Sequence, residues 1–369
     1  MLGNFITGVS ILAPAGMLPE LAGEFDVTIR HAGLLITFGA IVLCIGSPVA
    51  AWLTSRFDRR VLLSVTVAII AVAQFASALA PSYTVLMAVR LAMLAVAALF
   101  TPQAAGVAAM MVPPERRGST ISYVFLGWSL ALAVGLPLVT YVASHIGWRI
   151  AYGGIGVIAL LNLALLIWRL PAGLQGTPVD LKTWGELSRN PLILLLLMIT
   201  VLQTSGQFVV FTYLGPLFAR LGGSAELAIV AFGIYGVMGL VGNIIASRIV
   251  DRWGAYRTSL TMMSSLLFGV TVWALGAGFV PAMLASMIPW GFGFAATNSM
   301  QQVRLAGAAP LLASASVSLN TSSLYIGQAI GSGIGGVLFA HELYYAIGYV
   351  AVAFLVLALA SVVLTRRTR

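Results

Sequence analysis

Arg90 is the only charged residue between Tyr83 and Met111, in a run made mainly of Leu, Met, Ala and Val. Two further strings concentrate groups able to hold a ligand, "QTSGQ" at 203–207 and "ATNSMQQ" at 296–302. A guanidinium, amides and hydroxyls can bind a polar solute or steady a proton carrier, but they do not make an acid–base or metal centre. Catalysis of that kind needs His, Cys, Asp or Glu gathered at one depth. Cys44 stands alone, His31, His145 and His341 fall in loops, and no GxxxxGK[ST] phosphate loop occurs. The chemistry on offer is recognition and passage, with no enzyme activity, metal or cofactor expected.

The elements that must position these groups follow from composition. Of 369 residues 60% are hydrophobic and 8% charged, against about 25% charged in soluble domains. Such a chain is expected to lie in a bilayer, where a helix satisfies its own backbone and lipid supplies no substitute. Uncharged runs mark twelve spans, near 2–22, 32–54, 61–79, 83–111, 118–144, 150–169, 191–219, 226–248, 258–277, 281–303, 310–338 and 342–364. The first run has no basic leader and reads as a span, not a cleaved signal. With the N-terminus inside, fifteen of the nineteen basic residues fall at inner loops and ends, while the ten acids divide evenly. That asymmetry follows the positive-inside rule and places both termini in the cytoplasm. The net charge of +9 therefore points to membrane topology and lipid contact, not to nucleic acid.

An internal repeat organises the spans. "IGSPVAAWLTSRFDRRVLL" at 45–63 aligns with "VGNIIASRIVDRWGAYRTS" at 241–259 at an offset of 196, which pairs Gly46 with Gly242 and Arg56 with Arg252. The expected organisation is an N-terminal six-helix bundle over 1–169, a cytoplasmic linker over 170–190 and a C-terminal six-helix bundle over 191–369. Parallel repeats of this kind place a binding site near mid-bilayer between halves that rock for alternating access.

The order of "GMLPEL", "SRFDRR", "AVR", "VPPERRG", "GLP", "GWR", "DRWG" and "GQAIGSGIGG" along the chain resembles the major facilitator superfamily, in its drug and sugar efflux branch. The resemblance implies an all-α integral membrane fold of twelve helices in two pseudo-symmetric halves. It implies a latch at the inner gate from Arg56, Asp58, Arg59 and Arg60 against the eleventh helix, and a gate pair in Asp251 and Arg252. Ser55 stands where the family has its acid and Asp58 where it has a glycine. Arg90 matches the fourth-helix arginine linked to proton coupling or substrate holding, although Leu94 replaces the glycine that follows. In the fifth span Gly127, Gly135 and Pro137 match a bending motif, with Val139 in place of a further glycine. Gly327, Gly331 and Gly335, spaced by four, read as a packing face.

Polar and aromatic residues are expected to line the substrate cavity: Thr7, Ser10, Gln103, Gln203, Gln207, Tyr213, Tyr235, Asn243, Asn298, Gln301, Asn320 and Tyr325. No acid lies deep within a span, and Ile11 occupies a first-helix position where the branch often carries one. That disfavours lipophilic cations as substrates, and leaves Glu20 as the leading carboxylate for protonation. The reading is a secondary active transporter, monomeric, in a bacterial inner membrane, exporting a small neutral or anionic solute by proton antiport. An uncoupled facilitator of the same fold is the nearest alternative, and a non-transporting receptor a more distant one.

Overall fold

The computed structural model describes residues 1–54, 57–113, 117–171, 173, 189–308 and 313–365. Among them the chain is helical and contains no strand. The helices are α1 (Leu2–Leu12), α2 (Leu18–Glu24), α3 (Ile29–Leu53), α4 (Arg59–Ala78), α5 (Tyr83–Ala97), α6 (Phe100–Met110), α7 (Arg117–Leu130), α8 (Leu136–His145), α9 (Trp148–Arg169), α10 (Pro191–Phe211), α11 (Leu214–Arg220), α12 (Ala225–Leu275), α13 (Val280–Ala308), α14 (Ala313–Ala340) and α15 (Tyr344–Leu364).

These assemble into the twelve expected crossings. Among the described residues nine helices are long and apolar enough to cross a membrane, and α1 with α2, bent by 61°, make a broken span. The fourth crossing is α5 followed by α6. The remaining one is hidden in α12, whose 51 residues contain Gly254 at φ 76°, ψ 155°. Gly242 lies against Phe292 and Gly293 against Met262 and Leu266, so positions on either side of Gly254 touch the same turn of α13. The chain folds back at Gly254, and the eighth and ninth spans are its two limbs. A loop was expected between these spans; instead one glycine makes the reversal.

The repeat extends through the helix boundaries. Leu18 and Leu214, Ile29 and Ala225, and Trp148 and Tyr344 each open corresponding helices, and each pair is separated by the same offset as the sequence alignment. Gly254 corresponds to Asp58, which solves the same turn differently: it adopts φ −58° and caps α4 through the amides of Arg60 and Val61. The expected bend of the fifth span lies in a π turn at Ala131–Gly135, just before Pro137. Most of the linker expected at 170–190 lies outside the described residues.

Gly254 sits in a region of backbone space open essentially to glycine alone. Gly254→Ala is expected to destabilise the protein by about 1–3 kcal/mol, read as a lowered thermal unfolding midpoint in detergent. An unchanged midpoint would contradict the hinge.

Candidate functional site

The first span breaks because of Pro14. Its ring removes the amide that would serve the Ser10 carbonyl four residues earlier, and the chain passes through a 3-10 turn at Ala13–Gly16 before α2. Arg90, about two turns into α5, reaches this break. Its Nη1 donates to the Ser10 carbonyl at 3.0 Å, and its Nη2 donates to the Ile11 carbonyl. The side chain is 1% exposed. Tyr152 of α9 lies beside the guanidinium, while Arg90 Nε and the Tyr152 hydroxyl are buried with no geometric hydrogen-bond partner. Arg90 thus caps a broken helix. Among the described residues it has no acidic partner within ion-pair distance.

The amides of the second half meet around α10. Gln203 Nε2 donates to Asn298 Oδ1 at 2.8 Å, Gln207 Nε2 to the Gln203 carbonyl at 3.3 Å, and the Tyr235 hydroxyl to Gln207 Oε1 at 3.4 Å. The Tyr235 ring packs against Trp290, Phe294 and Phe211 at 5.6, 5.3 and 5.0 Å. Gln203 Oε1, Thr204 Oγ1 and Ser205 Oγ are buried without protein partners. One turn inward, Thr200 donates to Asn320 at 2.6 Å and Gln301 to the Leu196 carbonyl at 3.1 Å. Alternation of donor and acceptor beside aromatic faces suits a solute with several hydroxyl or carbonyl groups.

Several expected cavity residues have other tasks. Thr7 donates to the Gly3 carbonyl of its own helix, and Asn243 accepts from Ser299 at 2.7 Å, joining α12 to α13. Tyr325 packs into the apolar core of the first half. Ser10 Oγ is buried without a partner, and Gln103 is half-buried on α6. Tyr213 is a correction: its ring does not line the central cluster but crosses to the second span, because glycines leave it a notch. Its hydroxyl donates to the Ser332 carbonyl at 3.2 Å, and a Cβ on Gly33, Gly335 or Gly336 would run into Tyr213 or the α10 backbone. Beside it Thr37 and Ser332 hydrogen bond across the halves at 2.8 Å, and ten residues along α14 from Ser332 toward its start, Ser322 donates to the Cys44 carbonyl at 3.3 Å. The second and eleventh spans are therefore closed on one another at the end poor in Lys and Arg.

The expected latch also differs. Arg56 lies outside the described residues. Asp58 caps α4 and its Oδ2 accepts the Gly173 amide; these amides, Val61's first, hold its carboxyl below the usual carboxylate range. Arg60 donates to the Ile167 carbonyl of α9 at 2.5 Å, and buried Arg59 to the Thr54 carbonyl at 3.2 Å. Asp58 and Arg60 serve helix ends in their own half, since freed amides and carbonyls are the nearest complementary charges. Asp251 and Arg252 are exposed and form no ion pair among the described residues. Glu20 is half-buried on α2 with one carboxylate oxygen lacking a partner. Three residues were missed: Thr101 donates to Asn4 Oδ1 at 3.0 Å, Asn4 to the Val124 carbonyl at 3.0 Å, and Trp128 to Thr101 at 3.2 Å. Asn4 shares a helix face with Thr7, which was the available signal.

Arg90→Ala leaves two carbonyls without donors, at about 1–3 kcal/mol each, and is expected to lower the unfolding midpoint and abolish transport. Adding Pro14→Ala restores one amide and should recover part of the stability, an interaction that a double-mutant cycle measures. Gly33→Ala should expel Tyr213 and raise outside labelling of Thr37→Cys in a Cys44→Ser background. Labelling that stays at the unsubstituted level would refute the notch.

Comparison with known proteins agrees with this architecture. The family model described as Major Facilitator Superfamily matches residues 1–318. "Inner membrane transport protein YdhP" of Escherichia coli (strain K12) is 30% identical over 353 residues, covering 93% of this chain and 88% of its own. "Uncharacterized MFS-type transporter YbcL" of Bacillus subtilis (strain 168) is 28% identical over 335 residues, covering 90% and 86%. In fold, a D-xylose-proton symporter superposes with TM-score 0.73 at 18% identity over 96% of this chain and 95% of that one. A peptide transporter, POT, gives TM-score 0.79 at 16% identity over 99% and 93%. Twelve crossings in two repeated halves, a family match over most of the chain and transport proteins among its relatives lead to one conclusion: the chain belongs to the Major Facilitator Superfamily.

Proposed function

We propose that the chain is a secondary active transporter of the bacterial inner membrane, with both termini cytoplasmic, which exports a small neutral or anionic organic solute by proton antiport. The observation that carries the substrate class is the cluster of Gln203, Gln207, Tyr235 and Asn298 beside Trp290 and Phe294. Its groups are amides, hydroxyls and ring faces, which match a neutral polyhydroxyl compound better than a cation, for which a buried carboxylate would be the usual partner. The sugar named for one fold neighbour is in keeping with this reading. Arg90 holds the first span in register, Glu20 is the proton carrier, and Asp251 and Arg252 gain partners across the gate only when the inner end closes.

The alternative of an uncoupled facilitator draws on one observation: Glu20 is half-buried near the end of its span, and no acid lies deeper in a described span. Proteoliposomes separate the two. A panel of neutral monosaccharides and nucleosides is screened by ligand-dependent thermal stabilisation, and the hits enter counterflow. Gln203→Leu should weaken the apparent affinity by about tenfold or more, the weight of one buried hydrogen bond left unmade. An imposed pH gradient should drive concentrative flux in the unsubstituted protein, whereas Glu20→Gln should keep counterflow and lose the gradient response. Flux indifferent to the gradient would favour the facilitator.

A further inference from the structure

At the membrane interface between the third and sixth spans, α4 and the end of α9 enclose a groove of about 480 Å3, lined by Asp58, Arg60, Val61, Ser64, Val65 and Ile167. The transport reading gives it no task. Its rim is polar: the bond from Arg60 Nη2 to the Ile167 carbonyl fixes the guanidinium over the groove, while Nε and Nη1 have no protein acceptor among the described residues. One turn along α4, the Ser64 hydroxyl is buried with no hydrogen-bond partner. Below the rim Val61, Val65 and Ile167 are about half exposed and form an apolar wall along the hydrocarbon. Trp168, 72% exposed, carries the Arg169 guanidinium 4.2 Å over its ring at the same helix end, as side chains do at a lipid headgroup layer.

We propose that this groove binds one anionic phospholipid. The phosphate accepts hydrogen bonds from Arg60 Nε and Nη1 and from the Ser64 hydroxyl, and an acyl chain lies along Val61, Val65 and Ile167. Charge selects the headgroup. An ethanolamine ammonium needs an acceptor, and the oxygens of the one acid on the rim, Asp58, already receive the amides of Arg60, Val61 and Gly173, while a quaternary choline has no N–H with which to bind there. Free phosphate would satisfy the rim but leave the apolar wall bare, so the ligand that matches both surfaces has a tail. Bound there, the lipid ties α4 to α9 where the chain leaves the first half at Gly173.

Native mass spectrometry of the purified full chain, titrated separately with phosphatidylglycerol, phosphatidylcholine and phosphatidylethanolamine, tests this. Phosphatidylglycerol should bind about fivefold tighter than the other two, the weight of one basic residue at an anionic interface. Arg60→Gln should remove that preference and Arg60→Lys should keep most of it. Val65→Trp, which fills the groove beneath an intact Arg60, should reduce phosphatidylglycerol binding as well, and decides the matter alone if Arg60→Gln does not fold. Equal retention of the three lipids, an ethanolamine preference, displacement by millimolar inorganic phosphate, or unchanged binding in Val65→Trp would overturn the proposal.

Discussion

A carbonyl released from its helix inside a bilayer must be served by a protein group, because hydrocarbon offers none. The bent first span depends on that constraint. Pro14 removes one amide, the helix tightens through a 3-10 turn, and Arg90 crosses from α5 to take the two carbonyls so released. The second half supplies the control. At the repeat offset Pro14 corresponds to Val210 and Arg90 to Ser286. There the seventh span also breaks into α10 and α11, with the Tyr213 amide on the Val210 carbonyl just as the Met17 amide is on the Pro14 carbonyl, but Val210 keeps the amide that proline lacks, and the Ser286 position carries no cation. The half with the proline has the arginine; the half without it does not. Burying a guanidinium is costly, so its presence is explained by the pair and not by Arg90 alone.

Once both spans bend, their short outer helices lean across the top of the bundle and bring Tyr213 to the second span. Close approach there depends on Gly33, since any side chain at that position would occupy the space of the Tyr213 ring. The inner end uses different means. Asp58 and Arg60 fasten the turn between the second and third spans to the end of α9 and to Gly173. Gly254, at the corresponding turn of the second half, makes the reversal with its backbone and, among the described residues, has no comparable side-chain fastening. The two halves share a fold and differ in how they are tied.

The sequence made the crossings, their order and the repeat legible, because charge depletion over about 20 residues and a fixed offset survive without any knowledge of packing. The bends were legible at Pro137, where proline has one meaning inside a helix. What stayed hidden depended on partners distant in sequence. Nothing local to Tyr213 shows that Gly33 and Gly336, more than a hundred residues away on either side, leave a slot for its ring. Asp58 looked like a displaced gate acid because its neighbours are arginines, yet its nearest donors are backbone amides that exist only once α4 has formed. Amides behaved better: Gln203, Gln207 and Asn298 came together because a primary amide in lipid needs another polar group, and few are on offer.

The strength of the closed seam fits the task of a protein that must reopen it. Polar links between the halves across the second and eleventh spans include Thr37 with Ser332 and Ser322 with the Cys44 carbonyl, each worth about 0.5–1.5 kcal/mol net. Apolar packing adds to these links: Tyr325 of α14 lies in the first-half core, and the Tyr213 ring sits against Gly33. Single hydrogen bonds of this size lie within reach of a solute bound at micromolar to millimolar affinity, which brings about 4–8 kcal/mol, and moving a two-state equilibrium from one side to the other takes about 5.5 kcal/mol. An ion-paired seam buried at the same depth would exceed that range once one partner had to separate from the other. Placing the charges at helix ends and leaving the polar links of the seam to single hydroxyls therefore keeps each such link within the binding energy of one small molecule.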